Sequence, residues 1–385
     1  MKNKIDATEK NINNPKKKER LLYLTKRLDV SMKYSIIIRI ASIISALLFC
    51  AIILSIFSPG NFGGFFVESF SATFQTTNKF FNTVGEFSIL LGISIALLPV
   101  FKMKFWNLGA EGQVLMGAFM AGIISKYVGP YVPEFLTFIL MIIGGIVGGA
   151  IWAFLPGFFK AKFKTNEILF TLMMNYLAMG LIIFFNNLLD PAHGQALSSL
   201  KYGRFTFTAS APFLPYIFVF IVVAIMAVLM FIYLKFTKHG YEISVVGSSE
   251  NTAKYIGINN QKVIIRTVLL SGALCGIVGW LLVARGGTVS STIVGGRGFT
   301  AVLITWLGHF SIPQIALMSF LIAFITRGAS QCGTTYNLGD SFSKISVAIF
   351  IFVILAFEFF LNYRININHS HPLVLKLKTN KKEGK

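Results

Sequence analysis

Ten stretches of this chain stay apolar for all or most of the distance across a bilayer, and that pattern decides what it can fold into. Runs at 35–57, 84–101, 111–128, 135–156, 167–189, 213–235, 265–284 and 342–361 reach spanning length. Two shorter runs, 298–311 and 313–328, meet at Ser311-Ile312-Pro313, where the proline breaks a continuous helix or starts a new one. Hydrocarbon offers loose backbone groups no partner, so spans of this length are helices. The expected fold is all-α: a polytopic integral membrane protein with about ten transmembrane segments, broken or half helices among them. A 55% hydrophobic share against 13% charged residues agrees with it.

Charge placement gives an orientation. Residues 1–39 hold eleven Lys/Arg against four acids, and 363–385 hold six against one. Basic flanks belong on the cytoplasmic side. An even number of spans then puts a basic tail (1–33) and a second one (363–385) inside, around a transmembrane domain at 34–362. The inside loops 102–110, 157–166 and 236–264 carry lysines, whereas the outside loops 129–134 and 329–341 carry no Lys or Arg, although 190–212 keeps Lys201 and Arg204. The first span reads as uncleaved. The +20 net charge does not signal nucleic acid, because the basic runs lack interleaved aromatic residues.

Two places interrupt the apolar pattern. Phe105-Trp106-Asn107-Leu108-Gly109-Ala110-Glu111-Gly112-Gln113 is a polar, glycine-rich seam between apolar runs. Arg285-Gly286-Gly287 through Gly295-Gly296-Arg297-Gly298 is the other break. Non-helical chain and acids at membrane depth survive inside protein or beside a cavity, so the first break points to a path through the membrane, while the second either does the same or serves close helix packing. Glu111 has two readings: a carboxylate complementing the dipole at the start of its own half-helix, or a contact to solute. Asn175 is interhelical glue or a solute ligand. Trp106, Phe299 and Trp306 either stack on a ring or pack. Asn107 and Gln113 complete the candidate path, and Arg285 and Arg297 are expected at the outer water boundary.

The long inside loop 236–264 holds a stretch, Ser249 to Ile256, able to make two helical turns closed by Gly257. A helix presented there suits docking of a partner protein. The paired glycines Gly144-Gly145 and Gly148-Gly149 suit close helix packing. No phosphate-binding G-x-x-x-x-G-K-[ST], no H-E-x-x-H and no G-x-S-x-G occurs, and His193, His239, His309, His369 and His371 are scattered. Cys50, Cys275 and Cys332 lack metal-ligand or disulfide spacing. The chain is thus expected to hold no cofactor or metal and to be no enzyme. Any coupling to hydrolysis comes from another polypeptide.

Four ordered motifs carry a resemblance. Asn107-Leu108-Gly109-Ala110-Glu111-Gly112-Gln113 resembles the hallmark stretch of the membrane subunits of ABC importers for nucleosides and simple sugars, relatives of the ribose and branched-chain amino-acid permeases. Lys160-Ala161 with Asn166-Glu167 and Thr171 to Tyr176 is similar to a second family stretch. Gly240-Tyr241-Glu242, Gly247, Asn251, Ala253, Tyr255 and Gly257 resemble its cytoplasmic coupling loop. Ser271-Gly272-Ala273 and Gly298 to Ala301 extend the match over 85–360. Trp106, Ser244, Ser248, Thr305 and Trp306 depart from the family pattern.

The resemblance implies a subunit of the bacterial cytoplasmic membrane that pairs with a second permease subunit, identical or not. It further implies cytoplasmic ABC ATPases that bind ATP-Mg, an extracellular or periplasmic substrate-binding protein, and a small-molecule solute moved by alternating access. Nucleosides lead as solute, with ribose or another simple sugar second and a stand-alone transporter third. The coupling loop would seat in an ATPase groove.

Overall fold

The computed structural model describes residues 22–27, 31–190, 194, 196–197, 200–205 and 212–367. Most of both basic tails and His193, His369 and His371 lie outside the described residues. Two compact units are distinguished, one formed by the chain ends (1–50 and 348–385) and one by 51–347.

In the first unit, β1 (Leu22–Lys26) pairs antiparallel with the last strand of the chain, Tyr363–Ile367, from Leu22 opposite Ile367 to Lys26 opposite Tyr363. The sequence reading has only tails there. The Arg27 guanidinium donates to the Tyr34 hydroxyl at 3.1 Å.

The remaining elements follow in chain order: α1 (Met32–Phe57), α2 (Gly64–Phe74), α3 (Thr77–Lys102), α4 (Ala110–Ile123), α5 (Glu134–Phe163), α6 (Glu167–Leu189), β2 (Ala196–Leu197), α7 (Leu214–Phe236), α8 (Lys238–Ser248), α9 (Glu250–Tyr255), α10 (Asn260–Gly286), β3 (Val289–Ser290), α11 (Arg297–Leu307), α12 (Ile312–Thr335), α13 (Gly339–Asn362) and β4 (Tyr363–Ile367). Among the described residues, eight helices are long and apolar enough to cross a membrane. The shorter α4 and α11 are the two interrupted segments. Pro313 starts α12 rather than kinking a longer helix. The sequence reading missed α2, whose eleven residues are too short to register as a span, and α8, which it treats as loop.

Local chemistry sets the ends. Side chains of Thr76, Asn166, Thr237, Ser249 and Asn259 accept backbone N–H groups at the starts of α3, α6, α8, α9 and α10. Gly287, at φ +69°, closes α10 in the left-handed conformation that glycine adopts without strain.

The 51–347 unit is built around α3, α4 and α10, while α6 and α7 keep broad apolar faces for lipid. The α4–α5–α10 centre depends on missing side chains. A Cβ on Gly276 would collide with the Gly145 carbonyl oxygen, and one on Gly149 with the Gly272 carbonyl oxygen. Helices meet backbone to backbone here, where dispersion replaces a hydrophobic drive that lipid does not supply. Gly276→Val is therefore expected to prevent assembly of the centre. The measurement is the folded yield in detergent, with Gly180→Ala as control because nothing lies within 4 Å of a Cβ there. Equal yields of the two variants would contradict this packing.

Candidate functional site

The first part of the seam, 105–109, is not helix, its last four residues open α4, and it is buried apart from Trp106 and the half-buried Leu108. After α3 the chain runs through 103–109 before α4 begins at Ala110; backbone carbonyls take the N–H groups of Met103, Lys104, Phe105 and Asn107, and side chains take those of Leu108 and Gly109. Asn107, fully buried, faces Gln113 in a reciprocal amide pair at 3.3 Å in each direction, and its Oδ1 also accepts from the Gly109 N–H at 2.9 Å. Asn175 of α6 reaches across, accepting from the Gly112 N–H at 2.8 Å and donating to the Leu108 carbonyl at 2.8 Å. The Leu108 N–H donates to Thr171 Oγ1 at 3.1 Å. In this way two of the motifs, 107–113 and 171–176, form one buried lattice. Thr171 is a member that the residue-level reading passed over, although it lies one helical turn from Asn175.

Glu111 joins the two breaks. It is 1% exposed, and its two carboxylate oxygens accept the backbone N–H groups of Gly296 (2.8 Å) and Gly298 (2.7 Å). Those amides open α11. Glu111 stands in the first turn of its own helix α4, as expected from sequence, and its carboxylate in addition complements the dipole of α11. Gly298 must be glycine for this approach, because a Cβ there would stand 2.5 Å from the Glu111 nitrogen.

A second carboxylate, which sequence reading passed over, holds the same turn. Glu86 of α3, 8% exposed, takes Arg297 Nε at 2.5 Å and Nη2 at 2.9 Å in a two-pronged pair. Arg297 Nη1 also donates to the Val294 carbonyl at 2.9 Å. The signal was present in the sequence as a lone acid inside an apolar run. Ser94 of α3 donates to the Ala301 carbonyl, and Thr305 donates back to the Ser94 carbonyl, completing the attachment of α11.

The aromatic candidates lie differently. Trp106 is 38% exposed, with its ring 5.5 Å from that of Phe101 at the end of α3. Phe299, Leu303 and Trp306 run along the partly open face of α11, where Trp306 reaches 42% exposure. These rings, and not the four buried polar residues, offer free surface.

At the end of the bundle where α3 finishes, α8 and α9 form a projecting pair. Gly247 packs on the Lys102 carbonyl and Gly240 on the Leu234 carbonyl, each where a Cβ would clash. Glu242 bonds Arg266 at 2.8 Å, and Ala253 is buried. Gly240, Glu242, Gly247 and Ala253 thus fasten the pair, while Asn251, Tyr255 (91% exposed) and Gly257 (φ +81°) point away. The hydrogen bond from Arg266 holds the Glu242 carboxyl below the usual carboxylate range, against the opposing effect of burial. A depressed folded-state pKa means this stabilisation is complete above the unfolded value of about 4.3 and is lost as pH falls through the folded one. The protection of α8 amides relative to their intrinsic exchange rate at each pH is therefore expected to be constant from pH 7 to 5 and to fall below pH 4. Glu242→Gln should flatten that dependence, and an unchanged profile would exclude the pair as its source.

Among the described residues no three His, Cys, Asp or Glu side chains gather as metal ligands. A polytopic helical bundle, with an interrupted pair of helices locked by buried polar groups at its centre and a short helical pair at one end, defines a membrane permease. Comparison with known proteins gives the family. The chain belongs to the branched-chain amino acid transport system / permease component family, whose model matches residues 79–357. It is similar to the glucose ABC transporter permease of Haloferax volcanii, at 28% identity over 75% of this chain and 78% of that one. It is also similar to the guanosine ABC transporter permease of Bacillus subtilis (28%, over 63% and 70%) and the nucleoside ABC transporter permease of Lactococcus lactis (26%, over 76% and 84%). No solved structure matches it significantly. The protein is a multi-pass permease component of an ABC transporter and not itself an enzyme.

Proposed function

We propose that this chain carries nucleosides, as one of two permease subunits of an ATP-driven importer in a bacterial cytoplasmic membrane. The observation that carries the reading is the division of labour at the two breaks. Asn107, Glu111, Gln113 and Asn175 spend their hydrogen bonds inside the protein, while Phe299 and Trp306 stand along the free face of a half-helix. Aromatic faces stack on a nucleobase. The buried lattice keeps α11 in place, and the rings on its open face meet the solute. The guanosine and nucleoside permeases among the relatives support this choice of solute. The glucose permease of Haloferax volcanii keeps a simple sugar as the second reading.

In this reading the α8–α9 end is cytoplasmic, with both basic tails and the termini on that side. ATP-Mg binds to separate ATPase subunits, whose closure pushes on α9 through Asn251, Tyr255 and Gly257. A substrate-binding protein delivers solute at the opposite face. Uptake of labelled guanosine, adenosine, ribose and glucose by cells with and without this gene tests the assignment. Gene-dependent uptake of a sugar with none of a nucleoside would overturn it.

Gly257→Val tests the docking surface. Space around Gly257 is open, but φ +81° strains a branched residue by about 1–2 kcal/mol. Association with the ATPase is expected to fall tenfold or more, while membrane insertion is unchanged. Undiminished co-purification with the ATPase would remove Gly257 from the interface.

A further inference from the structure

A cavity of about 550 Å³ opens between the ends of α3 and α7, the start of α8 and the α11–α12 connection. Sites for small molecules occupy roughly 300–1,000 Å³, so the space is ample for a ligand group. Lys102 and Lys235, in the last turns of α3 and α7, both line it, together with Tyr241 and Ser311. No Asp or Glu does. Among the described residues the Lys102 side chain has no hydrogen bond or ion pair. Lys235 has only the Phe231 and Phe236 rings beside its ammonium, at 5.3 and 5.4 Å from their centroids. The nearby acid of α8, Glu242, is engaged by Arg266. Nor is Lys102 needed to close its own helix, because the N–H groups of Met103, Lys104 and Phe105 already take the carbonyls of Pro99, Phe101 and Val100. Two ammonium groups thus share a recess that supplies no anion, which is costly unless a ligand brings one.

The rest of the recess is apolar. Phe231 and Leu234 of α7 and Phe310 after α11 line it. Phe231 is exposed, and with Ile221, Ile225 and Val228 it continues one exposed stripe at helical spacing that ends at Lys235. Along that stripe Ile221, Ile225 and Val228 also line a second, wholly apolar hollow of about 320 Å³ on α7. The hollow begins seven residues from Lys235, roughly 10 Å along the helix. One leaflet of hydrocarbon is about 15 Å deep, so a lipid whose headgroup meets Lys235 has its chain beside the hollow. A free anion would fill only the charged end. Basic pockets between spanning helices on the cytoplasmic side take anionic headgroups, and the apolar hollow adds a place for the chain.

We propose that the cavity and the α7 hollow form one binding site for an anionic phospholipid of the leaflet on the α8–α9 side. Lys102 and Lys235 hold its phosphodiester, the Tyr241 and Ser311 hydroxyls bond the headgroup, and one acyl chain lies against Val228, Ile225 and Ile221. A lipid seated there touches both α8 and the α11–α12 connection. The inference needs only a membrane permease and is independent of which solute it carries.

The test uses the full chain assembled with its second permease subunit and ATPase in phosphatidylcholine nanodiscs. Two probes, phosphatidylglycerol and phosphatidylcholine with a diazirine in one acyl chain, are added at the same trace fraction and photolysed. Mass spectrometry then locates the labelled residues. Phosphatidylglycerol is expected to label 221–235 at least tenfold more than phosphatidylcholine does. On the exposed face of α6, at Ile168, Leu169 and Met173, the two probes should label alike. The double variant Lys102→Gln/Lys235→Gln should bring the probes within twofold at 221–235. Equal or absent labelling there in the unmodified protein overturns the proposal, whether or not the variant folds. So does a phosphatidylglycerol excess that is as large on α6, or one that survives in a folded double variant. Loss of the excess on adding millimolar inorganic phosphate, but not chloride of equal ionic strength, assigns the cavity to a soluble anion and also overturns it.

Discussion

Glu111→Gln should abolish most uptake and lower the thermal stability of the purified protein. The carboxylate accepts two backbone N–H groups with two oxygens. An amide offers one oxygen and one NH2, so the variant sets a donor against a donor at either Gly296 or Gly298. Hydrogen bonds to a charged group contribute about 1.5–3 kcal/mol, and a buried N–H left unpaired adds its own penalty. Loss of about 3 kcal/mol is a large share of the stability of an ordinary domain. It falls on the link between the two breaks, so α11 should loosen before the bundle does. A cysteine placed at Thr300 would then react faster with a soluble maleimide, while one at Ile143 on the apolar surface of α5 would not change. Glu111→Asp keeps the charge with one methylene fewer and should retain part of the uptake. Wild-type uptake and melting in the Gln variant would mean that the bonds at Gly296 and Gly298 are not what holds α11.

Sequence gives the helices of this protein more readily than their partners. Apolar length and Pro313 locate the spans because each depends on local composition. The 107–113 seam is legible for the same reason: polar residues and glycines inside an apolar stretch stand out without reference to anything distant. Asn107 and Gln113, six residues apart, pair within that seam. Other contacts are not local. Asn175 meets Leu108 across 67 positions, and Glu111 meets Gly298 across 187. No periodicity predicts which of several buried acceptors a given amide finds. The reading therefore attaches Glu111 to the helix in whose first turn it stands, and does not foresee the second helix start, at Gly296 and Gly298, that the fold brings to its carboxylate. Helix α8 was hidden for another reason. Its Gly240 and Gly247 count against helix by propensity, and their contacts with the Leu234 and Lys102 carbonyls appear only once α3 and α7 are in place.

Glu86 is expected to be the most sensitive charged position, and the two halves of its pair should not respond alike. Glu86→Gln removes the carboxylate shared by three guanidiniums, leaving Arg285, Arg297 and Arg327 to repel one another in a partly buried place. Breaking a buried pair from one side costs about 3–5 kcal/mol, and here the remaining charge is multiple. Arg297→Gln is milder, because Glu86 retains two arginines within electrostatic reach. The double variant Glu86→Gln/Arg297→Gln should be more stable than Glu86→Gln alone, since it removes one of the stranded cations. A second substitution that restores stability is a signature that simple loss of packing does not produce. Melting temperature and folded yield in detergent measure all three. The order Arg297→Gln above the double variant, and the double variant above Glu86→Gln, is the expected outcome. If the double variant is instead the least stable of the three, with the two losses adding, the cluster is not governed by its shared carboxylate. The three arginines would then have to be balanced by groups other than Glu86.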